Sequence, residues 1–282
     1  MDTTTYPIYL VGGSKGGVGK SNLAVNLAVA MSIRGLKVCL LDADLGLANA
    51  DVLCNLSPRL TLEHVVSGKC SLLEATLLAP GGFRLIPGAS GVARLADLGP
   101  IQRHMLLEQL AAIDRVADVI LIDCGAGISA NVVGFASAAH TVVVTTTPEP
   151  TAITDGYGMI KSLFAAVPTA RIELVVNMSS SPAEAAAVFD RISRVTRTFL
   201  GKTIEYAGGI PIDPAVPLSV RQRMPFVLFS PESPATRAVK RISAKLVAGP
   251  ENTGIGGCQS PSTSPRGGFF ARLASWMGKS EM

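Results

Sequence analysis

Glycines, two lysines and a serine stand together in residues 10–30, "LVGGSKGGVGKSNLAVNLAVA", between an apolar strand-length run and an apolar helix-length stretch. Glycines allow successive backbone N–H groups to turn inward around phosphate oxygens. Lys20, where the loop meets the helix, could reach the β- and γ-phosphates of a nucleotide, and the Ser21 hydroxyl could ligate Mg²⁺. These residue types in this order predict phosphate chemistry. The alternative to a phosphate-binding loop is a tight turn with a lysine lying along the surface. Such a turn would not require glycines, lysine and serine in this order.

A second lysine, Lys15, precedes Lys20 by five residues. The strict phosphate-binding motif G-x-x-x-x-G-K-[ST] requires glycine where this chain has Ser14. The variant K-G-G-x-G-K-[ST] fits without exception over residues 15–21, "KGGVGKS". One lysine suffices to hold the phosphates, so the role of Lys15 must lie elsewhere.

Carboxylates follow two of the apolar runs. Asp42 and Asp44 leave the run Val38–Leu41 in "DADLGLANADVL", and Asp123 closes the run in "VILIDCGAG". Such carboxylates can hold the water shell of Mg²⁺ and orient an attacking water, which is most of what phosphoryl transfer requires. The alternative for the first pair is a solvated turn that caps a helix around Asn49–Leu53. Cys124–Gly127 would form a flexible segment next to a γ-phosphate.

Strands and helices must alternate to bring these residues together. Seven runs have strand character: Ile8–Val11, Val38–Leu41, Arg84–Ile86, Val119–Ile122, Thr141–Thr145, Ile172–Val176 and Ile204–Gly208. Four amphipathic stretches have helix length: Lys20–Arg34, Ile101–Val116, Ile153–Val167 and Pro182–Leu200. This order predicts an α/β fold, with a mainly parallel twisted sheet of about seven to eight strands and helices on both faces. Ligands bind at the carboxyl ends of the strands in such sheets.

The pattern predicts three segments: a P-loop domain over residues 1–248, a flexible linker over 249–265 and a C-terminal amphipathic helix over 266–282. On a helical projection, five apolar residues of the last segment share one stripe: Phe269, Phe270, Leu273, Trp276 and Met277. We expect this helix to lie on an anionic membrane surface. The alternative is docking on the protein itself or in a dimer groove.

Composition narrows the class of protein. The 282 residues are 48% hydrophobic and 16% charged, with a net charge of +4. These values argue against disorder and do not predict sequence-specific nucleic-acid binding. The N-terminal residues lack the basic region of a signal peptide, so we expect a cytosolic protein. The five cysteines and three histidines are scattered, and we expect reduced structural cysteines and ordinary histidines, not a metal site.

The motif at Lys15–Ser21 resembles the deviant Walker A motif of the MinD/ParA class of P-loop ATPases. Three further stretches, "LLDADLGLANADVL", "LIDCGAGIS" and "TTPEPTAITDGYGMIK", resemble the FlhG/FleN family, the MinD-like regulators of bacterial flagellar number and placement. The resemblance extends from Tyr6 to Val247. One departure concerns the N-terminal DQAxxLR-like segment by which relatives activate the GTPase FlhF, for which Met1–Pro7 offers no match.

The resemblance implies a Mg²⁺-dependent ATPase with slow hydrolysis that forms a homodimer around ATP. Catalysis would involve Lys15, which reaches the partner's phosphates, Lys20, and Asp44, which engages the attacking water. Asp42 would support Mg²⁺, Asn177 would read adenine, and the loop at Pro211 and Asp213 would cover the ring. The full expected nucleotide site comprises Gly13, Ser14, Lys15, Gly16, Gly17, Val18, Gly19, Lys20, Ser21, Asn22, Asp42, Asp123, Asn177, Pro211 and Asp213, and the expected metal ligands are Ser21, Asp42 and Asp123.

The same resemblance implies what the protein acts on. Family members antagonise the flagellar master transcription activator, an enhancer-binding protein, and act with FlhF. A protein of this kind is cytoplasmic and associates with the inner face of the cell membrane, with the cell pole as a candidate location. Three alternatives remain open: a ParA/MinD-like positioning ATPase for another cargo such as DNA, a nucleotide-independent protein that sequesters an activator, and a small-molecule kinase, which the absence of an arginine-rich lid disfavours.

Overall fold

The computed structural model describes residues 7–13, 15–44, 49–88, 109, 113 and 116–248. The strands are β1 (Ile8–Gly13), β2 (Val38–Ala43), β3 (Leu77–Leu78), β4 (Arg84–Ile86), β5 (Val119–Ala126), β6 (Thr141–Thr146), β7 (Ile172–Ser179) and β8 (Glu205–Pro211). The described helices are α1 (Lys20–Ile33), α2 (Ala50–Leu53), α3 (Leu62–Val66), α4 (Leu72–Ala75), α5 (Ala130–Ala138), α6 (Pro150–Ala166), α7 (Pro182–Leu200), α8 (Ala215–Arg221), α9 (Phe226–Phe229) and α10 (Pro234–Ala248).

The strands form one eight-stranded sheet in the order β3-β4-β2-β5-β1-β6-β7-β8. All neighbours pair in parallel except β3 and β4, which pair antiparallel at the edge. The inner strands β1, β2 and β6 are buried along their whole length, as expected for strands covered by helices on both faces. The predicted fold class is therefore confirmed.

Two apolar layers enclose the sheet. On one face α1 and α10 pack together, and the same layer contains Phe226 and Val227 of α9. On the other face α5, α6 and α7 contribute the apolar side chains of the core. Ten of the fourteen residues of α1 are buried, because this helix lies between the sheet and α10. The phosphate-binding segment therefore leads into one of the most enclosed helices of the described chain.

Most predicted element bounds agree with the structure. The seven predicted strands and the helices at 20–33 and 182–200 are present. Helix α6 begins at Pro150, three residues before the predicted start, because proline is well suited to the first turn of a helix. The predicted elements did not include the two-residue strand β3, the short helices α3, α4, α8 and α9, or the longer helices α5 and α10. The predicted linker and tail, and most of the predicted helix Ile101–Val116, lie outside the described residues.

The cysteines of the described residues are unbridged, and the described histidines accept backbone hydrogen bonds. Cys39, Cys54 and Cys124 are buried and unbridged, and Cys70 is partly exposed. His64 belongs to the capping box of α3, and His140 Nδ1 accepts the backbone N–H of Ile8. Cys258 and His104 lie outside the described residues. Across the described helices, none has the length and apolar character needed to cross a membrane.

Candidate functional site

The phosphate-binding loop, residues 13–19, leaves the central strand β1 and ends at the first turn of α1. Gly17 and Gly19 have φ angles of 83° and 90°, a left-handed conformation that glycine adopts without strain. Gly19 caps α1 without a side-chain hydrogen bond, and the first turn carries no acidic residue. The first N–H groups of α1 are therefore left for an anion, and the helix dipole favours negative charge there. Ser14 lies outside the described residues.

Lys20 lies folded along the loop, with only 7% of its surface exposed. Its Nζ donates to the backbone carbonyl of Lys15 at 3.2 Å. A Cβ atom on Gly13 would come within 3.0 Å of Lys20 Cδ, so glycine at position 13 leaves room for the lysine. The ammonium group is thus held inside the loop, where a phosphate oxygen could replace the carbonyl as its partner.

Asp123 is a completely buried carboxylate in the second half of β5. Neither of its oxygens has a well-aligned hydrogen-bond donor among the described residues. Burial raises its pKa to about 8, although the nearby Ser21 hydroxyl and Lys20 ammonium lower it and the Asp42 carboxylate raises it. An unpaired carboxylate is costly inside a protein unless a cation or ordered water completes its environment.

Asp42 lies directly beside Asp123, because the two residues are register partners in the β2–β5 pair. Its Oδ1 accepts the backbone N–H of Asp44 at 3.2 Å, and its Oδ2 accepts that of Ala50 at 3.1 Å. Burial raises the pKa of Asp42 to about 6 against the lowering effect of these two N–H groups. Asp42 therefore binds the backbone at Asp44, just after β2, and at Ala50, where α2 begins. Each of its oxygens keeps a second lone pair that could accept from a metal-bound water.

The chain after β2 approaches the last residues of β5 at the carboxyl ends of these strands. A Cβ atom on Gly125 would lie 2.9 Å from Asp44 Oδ1, so the Asp44 carboxylate lies against the Gly125 backbone. The Gly127 N–H donates to the Gly13 carbonyl at 3.2 Å. The chain at the end of β5 therefore borders the phosphate-binding loop, and Asp44 lies against that chain.

Lys15 is oriented towards the end of β6 and the start of α6. Its Nζ lies 3.4 Å from Glu149 Oε2 and 3.3 Å from Thr151 Oγ1. Both side chains of this ion pair are well exposed, 44% for Lys15 and 68% for Glu149. Neither Glu149 nor Thr151 was among the predicted site residues. The signal that could have found them is the position of "PEPT" immediately after a predicted strand, where ligand-binding residues of such sheets collect.

Asn177 and the loop after β8 lie at the other end of the site. Asn177 Nδ2 donates to the Val18 carbonyl at 2.9 Å. Asp213 is buried, and its two oxygens accept the N–H groups of Ala215 and Ala235 at 2.9 Å each. Asp213 therefore caps the beginnings of α8 and α10, which the sequence did not indicate, and its contact with a base stays a prediction.

One open cleft of about 1480 Å³ joins these parts. The lining includes Gly16, Gly17, Gly19, Lys20, Ser21, Asn22, Asp44, Asn177, Pro211 and Asp213 from the predicted site, together with Thr147, Pro148, Glu149, Met178 and Phe226. Its phosphate end is polar and its far end is largely apolar. This arrangement suits a nucleotide, with phosphates at the helix N-terminus and the base between apolar side chains.

The donor set fits Mg²⁺ as well as the phosphates. Among the described residues, no group of three or more His, Cys, Asp or Glu side chains could enclose a metal ion. Mg²⁺ commonly keeps several waters and binds through one or two carboxylates and the substrate phosphates. The buried carboxylate of Asp123, the adjacent Asp42 carboxylate and the Ser21 hydroxyl meet that requirement.

Comparison with known proteins decides the family. Residues 9–226 match the CobQ/CobB/MinD/ParA nucleotide binding domain. The antiactivator FleN of Pseudomonas aeruginosa is 41% identical to this chain over 243 residues, 86% of this chain and 87% of FleN. The chain belongs to the FlhG/FleN branch of the MinD/ParA family. This FlhG/FleN-type protein is a Mg²⁺-dependent ATPase that uses ATP and ADP.

Two further comparisons concern a second flagellar relative and the fold. The flagellum site-determining protein YlxH of Helicobacter pylori is 32% identical to the FlhG/FleN-type chain. The alignment covers 94% of this chain and 88% of YlxH. The crystal structure of the cell division ATPase MinD of Pyrococcus furiosus superposes with a TM-score of 0.68 and 24% identity, covering 86% of this chain and 98% of MinD. The structural match supports the fold of this FlhG/FleN-type protein.

Proposed function

We propose that this ATPase is a nucleotide-controlled dimerisation switch that regulates the number and placement of flagella. The names of its relatives, an antiactivator in one bacterium and a flagellum site-determining protein in another, support a flagellar role. The observation that carries the switch is the orientation of Lys15. Lys20 lies enclosed in its own loop, whereas the Lys15 ammonium is exposed at the rim beside Glu149 and Thr151. A lysine in that position can reach the phosphates of a second subunit.

Within one subunit, the residues of the cleft divide the work of hydrolysis. The loop N–H groups and Lys20 would bind the phosphates, and Ser21, Asp42 and Asp123 would hold the metal and its waters. When bound, Mg²⁺ neutralises charge on the β- and γ-phosphates. Asp44, against Gly125 at the cleft, orients the attacking water. Asn177 and the loop at Pro211 and Asp213 receive the adenine.

The dimer exposes a surface for partners that the monomer lacks. We assign three such partners: the flagellar master transcription activator, which the dimer antagonises; the GTPase FlhF; and an anionic membrane surface. The membrane contact uses the predicted helix at 266–282, through Phe269, Phe270, Leu273, Trp276 and Met277. Two tails on one dimer bind more tightly than one tail on a monomer, because the second contact is intramolecular. The protein would then cycle between the cytoplasm and the inner face of the membrane.

Pull-down of the purified enhancer-binding activator tests the switch directly. We expect the unsubstituted chain to retain the activator with a non-hydrolysable ATP analogue and to release it with ADP. Lys15→Ala should bind ATP but retain little activator, whereas Lys161→Ala, on the exposed side of α6, should behave as the unsubstituted chain. Equal retention by Lys15→Ala and the unsubstituted chain would contradict the switch and favour nucleotide-independent sequestration.

Sedimentation with anionic liposomes tests the membrane contact. We expect more protein in the pellet with the ATP analogue than with ADP, and none above background after deletion of residues 269–282. A chain with the five apolar tail residues replaced by serine provides the matched control of equal length. Sedimentation that survives both changes would exclude the tail as the membrane contact.

A further inference from the structure

Asn177 makes a contact that base recognition alone does not require. This residue lies near the end of β7, and the phosphate-binding loop leaves β1, two strands away in the sheet. The Asn177 side chain bridges this separation and donates from Nδ2 to the Val18 carbonyl at 2.9 Å. The contact joins residues 159 positions apart in the chain. It falls two residues before Lys20, at the point where the loop turns into α1.

The amide is held in one orientation. Its Oδ1 accepts the backbone N–H of Met178 at 3.0 Å. Met178 itself has a φ angle of 56°, an uncommon conformation for a residue other than glycine. A carbonyl can only accept, so the group that meets Val18 must be the NH₂ of the side chain and not its oxygen.

The loop is shaped to receive this amide. A Cβ atom on Gly19 would clash with Asn177 Nδ2. Gly19 also has a φ angle of 90°. Glycine at position 19 therefore allows both the turn into α1 and the close approach of Asn177.

We propose that Asn177 is a positioning residue for the phosphate-binding loop, in addition to its predicted contact with the base. The two roles are compatible, because the second N–H of Nδ2 and the second lone pair of Oδ1 remain for adenine. The hydrogen bond to Val18 holds the backbone N–H groups before Lys20 in the arrangement that receives phosphate. A nucleotide base that engages Asn177 would thereby also steady the loop that holds its phosphates. This inference rests on the nucleotide site of the proposed function.

A ligand with phosphates but no base separates the two roles. If Asn177 only reads adenine, its loss cannot change the affinity for magnesium tripolyphosphate. If Asn177 positions the loop, Asn177→Ala should weaken tripolyphosphate binding about fivefold, the effect of losing one neutral hydrogen bond. Asn177→Asp should weaken it at least as much, because a carboxylate oxygen would face the Val18 carbonyl. Titration calorimetry of the full chain with tripolyphosphate and with Mg·ADP measures both affinities.

Ile212→Ala is the matched control. Ile212 lines the same end of the cleft and is largely exposed. We expect this substitution to leave the affinity for tripolyphosphate unchanged, so that any change is confined to the affinity for ADP. Unchanged tripolyphosphate affinity in both Asn177 variants would overturn the proposal, whatever happens to ADP.

Amide hydrogen exchange on the nucleotide-free chain gives an independent readout. We expect Asn177→Ala to accelerate exchange in peptides that span residues 15–23, with unchanged exchange in the buried strands β1 and β6. Exchange equal to that of the unsubstituted chain would contradict a role in positioning. Because no ligand is present, this measurement tests the proposal even if the nucleotide-dependent switch proves wrong. Unchanged protection of the core strands also shows that the variant is folded.

Discussion

The Lys15 ammonium lies 3.4 Å from the Glu149 carboxylate, across the mouth of the phosphate-binding loop and outside the pocket that encloses Lys20. Thr151, at the start of α6, supplies a second partner at 3.3 Å. The two lysines of the loop therefore occupy different environments although they are five residues apart. Lys20 is enclosed within the loop of its own subunit, whereas Lys15 is exposed to solvent.

Lys15→Ala should abolish the ATP-dependent dimer without destabilising the monomer. An exposed ion pair contributes about 0 to 1 kcal/mol to stability, so the free energy of unfolding should stay close to that of the unsubstituted chain. Light scattering after size exclusion, with a non-hydrolysable ATP analogue, measures the dimer. Lys161→Ala should still dimerise. A Lys15→Ala dimer of normal affinity would remove the proposed role of this residue between subunits.

Asp123→Asn should separate stability from activity. The substitution removes a buried carboxylate that lacks a well-aligned donor among the described residues, so the free energy of unfolding of the nucleotide-free chain should rise by about 1 kcal/mol. ATP hydrolysis should fall by about 10² or more, since the metal-bound water loses its charged partner. Urea unfolding and a phosphate-release assay measure the two quantities. A fall in both would indicate a structural role for Asp123.

Gly19→Ala should damage the site more than the same change at Gly16. Alanine at position 19 would have to adopt a φ angle of 90° and would meet Asn177 Nδ2. We expect a loss of about 1–3 kcal/mol in the free energy of unfolding and a clear loss of nucleotide affinity. A Cβ atom on Gly16 meets no atom within 4 Å, so Gly16→Ala should cost less than about 0.5 kcal/mol. Equal losses of stability at the two positions would contradict the close contact with Asn177.

Asp213→Ala should destabilise the fold, because two helix beginnings lose a charged acceptor. The buried carboxylate receives the N–H groups of Ala215 and Ala235, and their loss should lower the free energy of unfolding by about 2–4 kcal/mol. Asp190→Ala, on the exposed side of α7, should change it by less than about 0.5 kcal/mol. Thermal and urea unfolding at neutral pH compare the two variants.

The contribution of Asp213 should also depend on pH. Burial raises its pKa, but the backbone N–H groups of Ala235 and Ala215, with smaller contributions from the Ser233 hydroxyl and the Arg237 guanidinium, together hold the pKa below its ordinary value of 3.8. The stabilisation is therefore fully present above that value and is lost as the pH falls through the folded-state pKa. The difference between the unsubstituted chain and Asp213→Ala should shrink below pH 3.8. A difference that stays constant into acid would indicate that the charge of Asp213 contributes nothing.

Local patterns determined most of the fold and of the phosphate end of the site. Runs such as Thr141–Thr145 predict buried strands because parallel strands covered on both faces are continuously apolar. The order of residues from Lys15 to Ser21 predicts a phosphate-binding loop that leads into a helix, because each of these residues would contact phosphate through its own backbone or side chain. Asp42, Asp44 and Asp123 could be located because parallel strands bring their carboxyl ends to one edge. Short helices such as α8 and α9 escaped prediction, since tertiary packing, not their own periodicity, stabilises them.

Only the tertiary structure decided which groups meet across the chain. The pairing of Lys15 with Glu149 and that of Asn177 with Val18 join residues more than a hundred positions apart, and strand order, not sequence spacing, brings them together. Likewise, Asp213 proved to cap two helices because the chain folds the start of α10 back onto β8. The sequence alone thus predicted which residues could hold a phosphate, because that chemistry is local. The structure decided what each of them is tied to, because those contacts are set by how the sheet is assembled.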